Sequence, residues 1–169
     1  MRGYKNCMIK LLLLLSVGII LYATLWREKG GGGLQLRLFW TIEYAWRTHS
    51  AIYWYFIVGN IVLPFGFFFT LCFDKVKTLP TVLAGFLLSG FIELTQYVTD
   101  RGLCELDDLF HNTWGALLGC YMAVIFLGLV LKRDGKCLPQ LRRAVLGVLL
   151  TIGLFVVLIG INRPGYMGI

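Results

Sequence analysis

The chain has 169 residues, enough for one domain; 58% of them are hydrophobic and only 15% are charged. An average soluble domain is roughly 45–50% apolar and about 25% charged. With a mean hydropathy of +0.76, this composition excludes disorder, argues against a soluble domain and indicates an integral membrane protein. The net charge of +7 is typical of lysines and arginines that flank spans and meet anionic lipid, so no nucleic-acid partner is expected.

Five segments are apolar and long enough to cross a bilayer as helices of about 20 residues. In chain order they lie near residues 8–26, 51–73, 79–98, 112–131 and 141–161. The sequence therefore predicts an all-α fold, a polytopic transmembrane helical bundle of about five spans, in a single domain over residues 1–169. The first span resembles a signal peptide, but its apolar part is long and no A-x-A-like cleavage site follows, so we expect a retained anchor.

The connection between the first two spans, residues 27–50, is longer than the others. It begins with four glycines at residues 30–33, which predict a flexible hinge. Aromatic side chains then follow closely, among them Phe39, Trp40, Tyr44 and Trp46. Two interpretations stay open, because such a segment can lie in the membrane interface or pack its rings on the ends of the bundle.

Lysines and arginines set the orientation of a membrane protein, because they favour the cytoplasmic side. With the N-terminus inside, ten of them lie in inner segments and six in outer segments. We therefore predict a cytoplasmic N-terminus and an outer C-terminus. The acidic loop between the third and fourth spans, with Asp100 and Glu105, then faces outward.

Polar side chains inside or beside spans are costly, so they mark contacts or wet cavities. Glu93 and Gln96 are three residues apart and share one helix face near the outer end of the third span. Asp107 or Asp108 can cap the start of the fourth helix, and Arg101 can bridge the two groups. The candidate polar cluster consists of Glu93, Gln96, Arg101, Asp107, Asp108, His111 and Asn112.

A second set of residues predicts close helix packing. Gly115-x-x-x-Gly119 lets another helix approach the fourth span. In the second span Pro64, followed by Gly66, removes a donor and clashes with the carbonyl of Asn60, so we expect a kink there. Asn60 can satisfy the freed group or turn toward Glu93.

The blocks Glu93-x-x-Gln96-x4-Arg101 and Asp107-Asp108-x-x-x-Asn112-Thr113-x-Gly115-Ala116-x-x-Gly119 resemble the VanZ-like family. The resemblance covers the segment from Glu93 to Gly119 and extends to the segment from Phe39-Trp40 through Gly66. It implies a small multi-pass protein of the bacterial cell membrane, related to an accessory protein of glycopeptide resistance clusters. It further implies an effect on teicoplanin susceptibility or on the envelope, with the lipid bilayer and a glycopeptide or envelope precursor as partners.

The residues alone leave several functions open. In the first, a non-enzymatic envelope protein binds an envelope component or a partner through its polar cluster, unless that cluster is only a structural clasp. In the second, a membrane-embedded enzyme acts on a lipid-linked or cell-wall substrate, and its acid–base or metal groups are Glu93, Asp107, Asp108 and His111. The absence of known catalytic motifs weakens that reading, and no metal or cofactor is assigned. A transporter is disfavoured, because no inverted repeat is visible.

Overall fold

The structure is a computed structural model that describes residues 2–26, 29–30, 32–58, 60–73, 78–129 and 138–162, without the side chains of residues 2–6, 55–58 and 138–140. The described residues form seven helices and two short strands, which confirms the predicted all-α bundle. In chain order they are α1 (Arg2–Leu25), β1 (Gly33–Gln35), α2 (Trp40–Thr48), α3 (Ala51–Val58), α4 (Leu63–Leu71), α5 (Thr78–Thr99), β2 (Leu103–Glu105), α6 (Leu106–Leu129) and α7 (Leu138–Ile161).

Four helices within the described residues are long and apolar enough to cross a membrane, namely α1, α5, α6 and α7. They match the first, third, fourth and fifth predicted spans. The helix of the fourth span begins at Leu106 rather than near residue 112. Consequently Asp107, Asp108 and His111 are part of a helix and project from its first two turns.

The second predicted span, residues 51–73, is not one continuous helix. It contains α3, of eight residues, and α4, of nine, on either side of Asn60. The disturbance expected at Pro64 is thus a break instead of a kink. Pro64 lies in the first turn of α4, where a missing N–H leaves no helical bond unmade. The carbonyl of Asn60 accepts the N–H of Leu63 at 3.2 Å.

One end of the bundle joins segments that are far apart in sequence. β1 pairs in parallel with β2, with Gly33 opposite Leu103 and Gln35 opposite Glu105. The N–H of Gly32 donates to the Asp100 carboxylate at 2.8 Å. The described part of the glycine run therefore forms strand and loop contacts in place of the flexible hinge expected from composition.

We call this end of the bundle the loop end. It consists of β1, β2 and α2, with the C-terminal ends of α1, α5 and α7 and the N-terminal end of α6. The indole of Trp46 ties α2 to α7 by donating to the carbonyl of Ile159 at 3.1 Å.

Away from the loop end, α6 lies at the centre of the bundle and packs against α4, α5 and α7. The contact with α4 is made by backbones at close range. A Cβ added at Gly66 would lie 2.3 Å from the carbonyl oxygen of Ala116, and one added at Gly119 would lie 2.2 Å from that of Leu63. Only glycine fits at either position. Behind this contact, Val62, Phe65 and Ile92 are buried in the main apolar core.

Candidate functional site

The aromatic segment after the first span folds as α2 and covers part of the loop end. Its inner face buries Ile42 and Ala45, which pack against Trp54, Phe155 and Ile159. The rings therefore pack on the end of the bundle, which was one of the two interpretations left open by the sequence. Leu38 and Tyr44 are exposed on the outside of this segment.

Asp107 caps α2 instead of the helix that contains it. Its Oδ1 accepts the N–H of Phe39 at 2.8 Å, and its Oδ2 accepts the N–H of Thr41 at 3.0 Å. Phe39 precedes α2 in a left-handed conformation, with φ of 61°, and supplies no side-chain cap. A carboxylate at this point satisfies free N–H groups and stabilises the positive end of the helix dipole. Asp107 thereby fixes α2 to the start of α6.

Glu93 contributes a second carboxylate contact at the loop end. It is 5% exposed, and its Oε2 accepts the backbone N–H of Glu105 at 2.7 Å. Glu105 in turn accepts the indole N–H of Trp40 through its own Oε2 at 3.1 Å. A series of hydrogen bonds therefore runs from α5 through β2 to α2. Glu105 and Trp40 were not in the cluster predicted from sequence spacing. They meet at the loop end, where β1 pairs with β2.

Two amides of the cluster join helices to one another. Gln96, 2% exposed, donates from Nε2 to the carbonyl of Thr24 on α1 at 2.8 Å. Its buried Oε1 has no hydrogen-bond partner within the part of the chain that the structure describes. Asn112 donates from Nδ2 to the hydroxyl of Ser89 on α5 at 3.0 Å. These contacts connect α5 to its neighbours on both sides.

Asn60, at the break in the second span, turns toward α6 and not toward Glu93. Its Nδ2 donates to the carbonyl of His111 at 2.5 Å, and its Oδ1 accepts the N–H of Val62 at 2.9 Å. Gly115 makes room for this amide, because a Cβ there would lie 2.0 Å from the Asn60 Oδ1.

A cavity of about 40 Å³ lies at the loop end between α2, α6 and α7. The imidazole of His111 forms part of its wall and stacks on Phe155, with ring centroids 5.9 Å apart and an interplanar angle of 18°. The residues that line the cavity are Phe39, Thr41, Ile42, Asp107, Asp108, Phe110, His111 and Phe155. We call this the loop-end cavity.

The structure thus divides the candidate cluster into two groups. Asp107, Asp108 and His111 line the loop-end cavity, whereas Glu93, Gln96 and Asn112 make contacts of α5. Arg101 is half-buried in the turn after α5, and its role as a bridge between the carboxylates stays a prediction. His111 and Asn112 fall into different groups because successive residues of α6 point about 100° apart.

The enzyme hypothesis with a bound metal requires a set of protein ligands close together. Among the described residues, no three His, Cys, Asp or Glu side chains come together in a way that could hold a metal ion. Glu93 is directed to the backbone of Glu105 and does not line the loop-end cavity with Asp108 and His111.

The fold defines a multi-pass helical membrane protein with a hydrogen-bonded polar end. The family model VanZ/LLP1 matches residues 7–127, more than half of the chain, and the chain belongs to this family. The match contains the whole candidate polar cluster and ends before α7, which supplies Phe155 to the cavity. Neither a curated protein nor a solved structure matches the chain significantly.

Proposed function

We propose that this VanZ/LLP1-family protein acts on the cell envelope from the loop end of its bundle and lowers susceptibility to teicoplanin. The observation that carries the proposal is the juxtaposition of an acidic cavity with an exposed apolar and aromatic segment. Leu36, Leu38 and Tyr44 are 63%, 44% and 41% exposed next to the cavity formed by Asp107 and Asp108. Such a surface suits an amphipathic molecule held at the membrane boundary.

The proposal needs the loop end to face outward. The Lys/Arg distribution supports that orientation, because ten of the sixteen basic residues lie in segments that the loop end does not contain. Teicoplanin carries an acyl chain that anchors it in the bilayer, and vancomycin does not. A protein acting at the outer boundary should therefore distinguish between the two drugs.

The test is expression in a susceptible Gram-positive host, with teicoplanin and vancomycin sensitivity measured against an empty vector. We expect protection against teicoplanin only. Asp108→Asn keeps the shape of the cavity wall and removes a charge, so it should abolish protection while the protein still accumulates in the membrane. Asp100→Asn is the matched control, because Asp100 is exposed and lies outside the cavity.

Several results would contradict the proposal. Equal protection against both drugs would remove the anchoring argument. Unchanged protection in a combined Asp108→Asn and Glu93→Gln variant would remove the cluster from the mechanism. No protection against either drug, at normal protein levels, would remove the drug phenotype altogether.

Orientation is tested separately by cysteine labelling on intact cells. Cys7, near the start of α1, and Cys104, in β2, lie at opposite ends of the bundle. In variants that keep only one of the chain's five cysteines, a membrane-impermeant maleimide should label Cys104 at long reaction times and leave Cys7 unlabelled until the cells are opened. The reverse pattern would invert the topology and place the loop end in the cytoplasm.

A second candidate is an enzyme that acts on a lipid-linked or cell-wall substrate. It is favoured by the presence of a carboxylate and an imidazole, Asp108 and His111, on one cavity wall. His111→Phe separates the two candidates, because phenylalanine retains the stacking on Phe155 but transfers no proton. Loss of protection in this variant, at an unchanged protein level, would favour proton transfer; retained protection would favour binding.

A further inference from the structure

The loop-end cavity is lined by one buried carboxylate, that of Asp107, which forms no ion pair within the part of the chain that the structure describes. Asp107 is 7% exposed and accepts backbone N–H groups from Phe39 and Thr41, but among the described residues it has no ion-pair partner. Each carboxylate oxygen uses one lone pair in these bonds and retains another. A carboxylate withdrawn from water is most stable beside a cation, so this cavity is electrostatically suited to positive charge.

The walls of the cavity are aromatic. Phe39 and Phe110 meet edge to face, with centroids 5.4 Å apart, and Phe155 completes the wall with His111 stacked on it. Aromatic faces attract cations by about 0.5–1 kcal/mol at exposed sites and about 2 kcal/mol or more where water is excluded. The Asp107 carboxylate and the aromatic wall therefore both favour a cation in this cavity.

We propose that the loop-end cavity binds the ammonium group of an organic cation. The cavity, of about 40 Å³, has room for an ammonium and the carbon attached to it, and the rest of the ligand would extend to the protein surface. A metal ion fits less well, because phenylalanine rings offer it no lone pair and the described residues provide no three-ligand set.

Two sources can supply this chemistry at a membrane boundary. One is a lipid headgroup that carries a primary amine, such as phosphatidylethanolamine. The other is a water-soluble primary amine of the envelope. Both present an alkylammonium group on a short carbon chain, so one probe, ethylammonium, tests the shared chemistry.

The experiment uses the full-length protein purified in a non-ionic maltoside detergent. Thermal unfolding is followed during titration with ethylammonium chloride, with sodium chloride at equal ionic strength and ethanol as controls. We expect a saturable rise in Tm with ethylammonium alone, because a ligand that binds only the folded state stabilises it. No saturable rise, or an equal rise with sodium chloride, would overturn the proposal.

Two variants locate the binding site. Phe155→Leu keeps apolar volume and removes one ring, and it should raise the Kd for ethylammonium about threefold to thirtyfold. Asp107→Asn removes the charge and should weaken binding at least as much. Phe91→Leu is the matched control, since Phe91 is 56% exposed on α5 and lies outside the cavity. Unchanged binding in both cavity variants would overturn the assignment.

The lipid source is identified in nanodiscs. If the native ligand is a headgroup, ethylammonium should bind more weakly in discs that contain phosphatidylethanolamine than in discs of phosphatidylglycerol alone, because the lipid competes. Equal binding in both discs would support a soluble amine. The outcome is independent of drug sensitivity: a protein that binds ethylammonium and fails to protect cells would retain this site and lose the proposed function.

Discussion

The α4–α6 contact and the loop end bring distant parts of the chain together by opposite means. At the α4–α6 contact the backbones touch because side chains are missing at Gly66 and Gly119. At the loop end side chains make the long-range contacts, since the Asp107 carboxylate accepts N–H groups of residues 66 and 68 positions earlier in the chain. The first contact depends on the absence of side-chain atoms between the helices, and the second depends on the carboxylate oxygens that accept the N–H groups.

The difference shows how each region should fail. Between α4 and α6 even a methyl group has no space, so the size of an added side chain matters there and its polarity hardly does. At the loop end a change in side-chain size is less harmful than the loss of a single carboxylate oxygen.

Gly66→Ala should lower the stability of the whole bundle more than any loop-end variant, because the loss in a loop-end variant stays local to the segment that it releases. The added Cβ would meet backbone atoms of Ala116, which cannot rotate away. Overpacking typically costs about 1–3 kcal/mol, and we expect the upper end of this range, seen as a lower Tm in detergent and less protein in the membrane. Gly153→Ala on α7 is the matched control, because no atom lies within 4 Å of the added methyl. A similar loss in both variants would mean that close α4–α6 packing is not the cause.

Asp107→Ala should release α2 without unfolding the bundle. Two N–H groups would lose a charged acceptor, and each such bond contributes about 1.5–3 kcal/mol. Hydrogen exchange over residues 39–48 should therefore accelerate, while exchange in the centre of α6 changes little. Asp100→Ala, which removes one bond from an exposed carboxylate, should have a smaller effect. Unchanged exchange in α2 would show that Asp107 does not hold it.

Glu93 and Arg101 should be energetically coupled. Glu93 is a buried carboxylate near the C-terminal end of α5, and Arg101 lies in the turn that follows this helix. In a double-mutant cycle of Glu93→Gln and Arg101→Ala, the loss of stability in the double variant should differ from the sum of the two single losses by at least about 0.5 kcal/mol. Strict additivity would mean that the two side chains do not interact.

The thiol of Cys104 should be slow to alkylate. Burial raises the pKa of this thiol, and the neighbouring Glu93 and Glu105 carboxylates raise it further. Because only the thiolate reacts, fewer molecules are reactive at a given pH, and the pH midpoint of maleimide reaction should lie above that of a free thiol. Glu105→Gln should lower the midpoint and increase the rate at pH 8. A rate that falls in this variant would contradict the electrostatic explanation.

The sequence was informative where the cause was local. Apolar runs revealed the four long helices, and the three-residue spacing of Glu93 and Gln96 placed both on one face, which the structure buries. Contacts that depend on the pairing of distant chain segments could not be predicted from the sequence. Strands of three residues leave almost no periodic signal, so nothing local indicated that β1 would bring Phe39 to Asp107 or Trp40 to Glu105. The break at Asn60 likewise depends on the space that Gly115 leaves on α6.

The Asn60 break also imposes an order of assembly. Backbone groups exposed to lipid need partners. At this break the Asn60 side chain accepts the N–H of Val62, and the same side chain is held by the carbonyl of His111, 51 residues later in the chain. At about 5–20 residues per second, synthesis of that stretch takes roughly 3–10 s. Throughout this interval α3 and α4 have been synthesised, but the surface of α6 that completes their break has not. The mature form of the α3–α4 break is therefore a late event in biogenesis, made when α6 arrives.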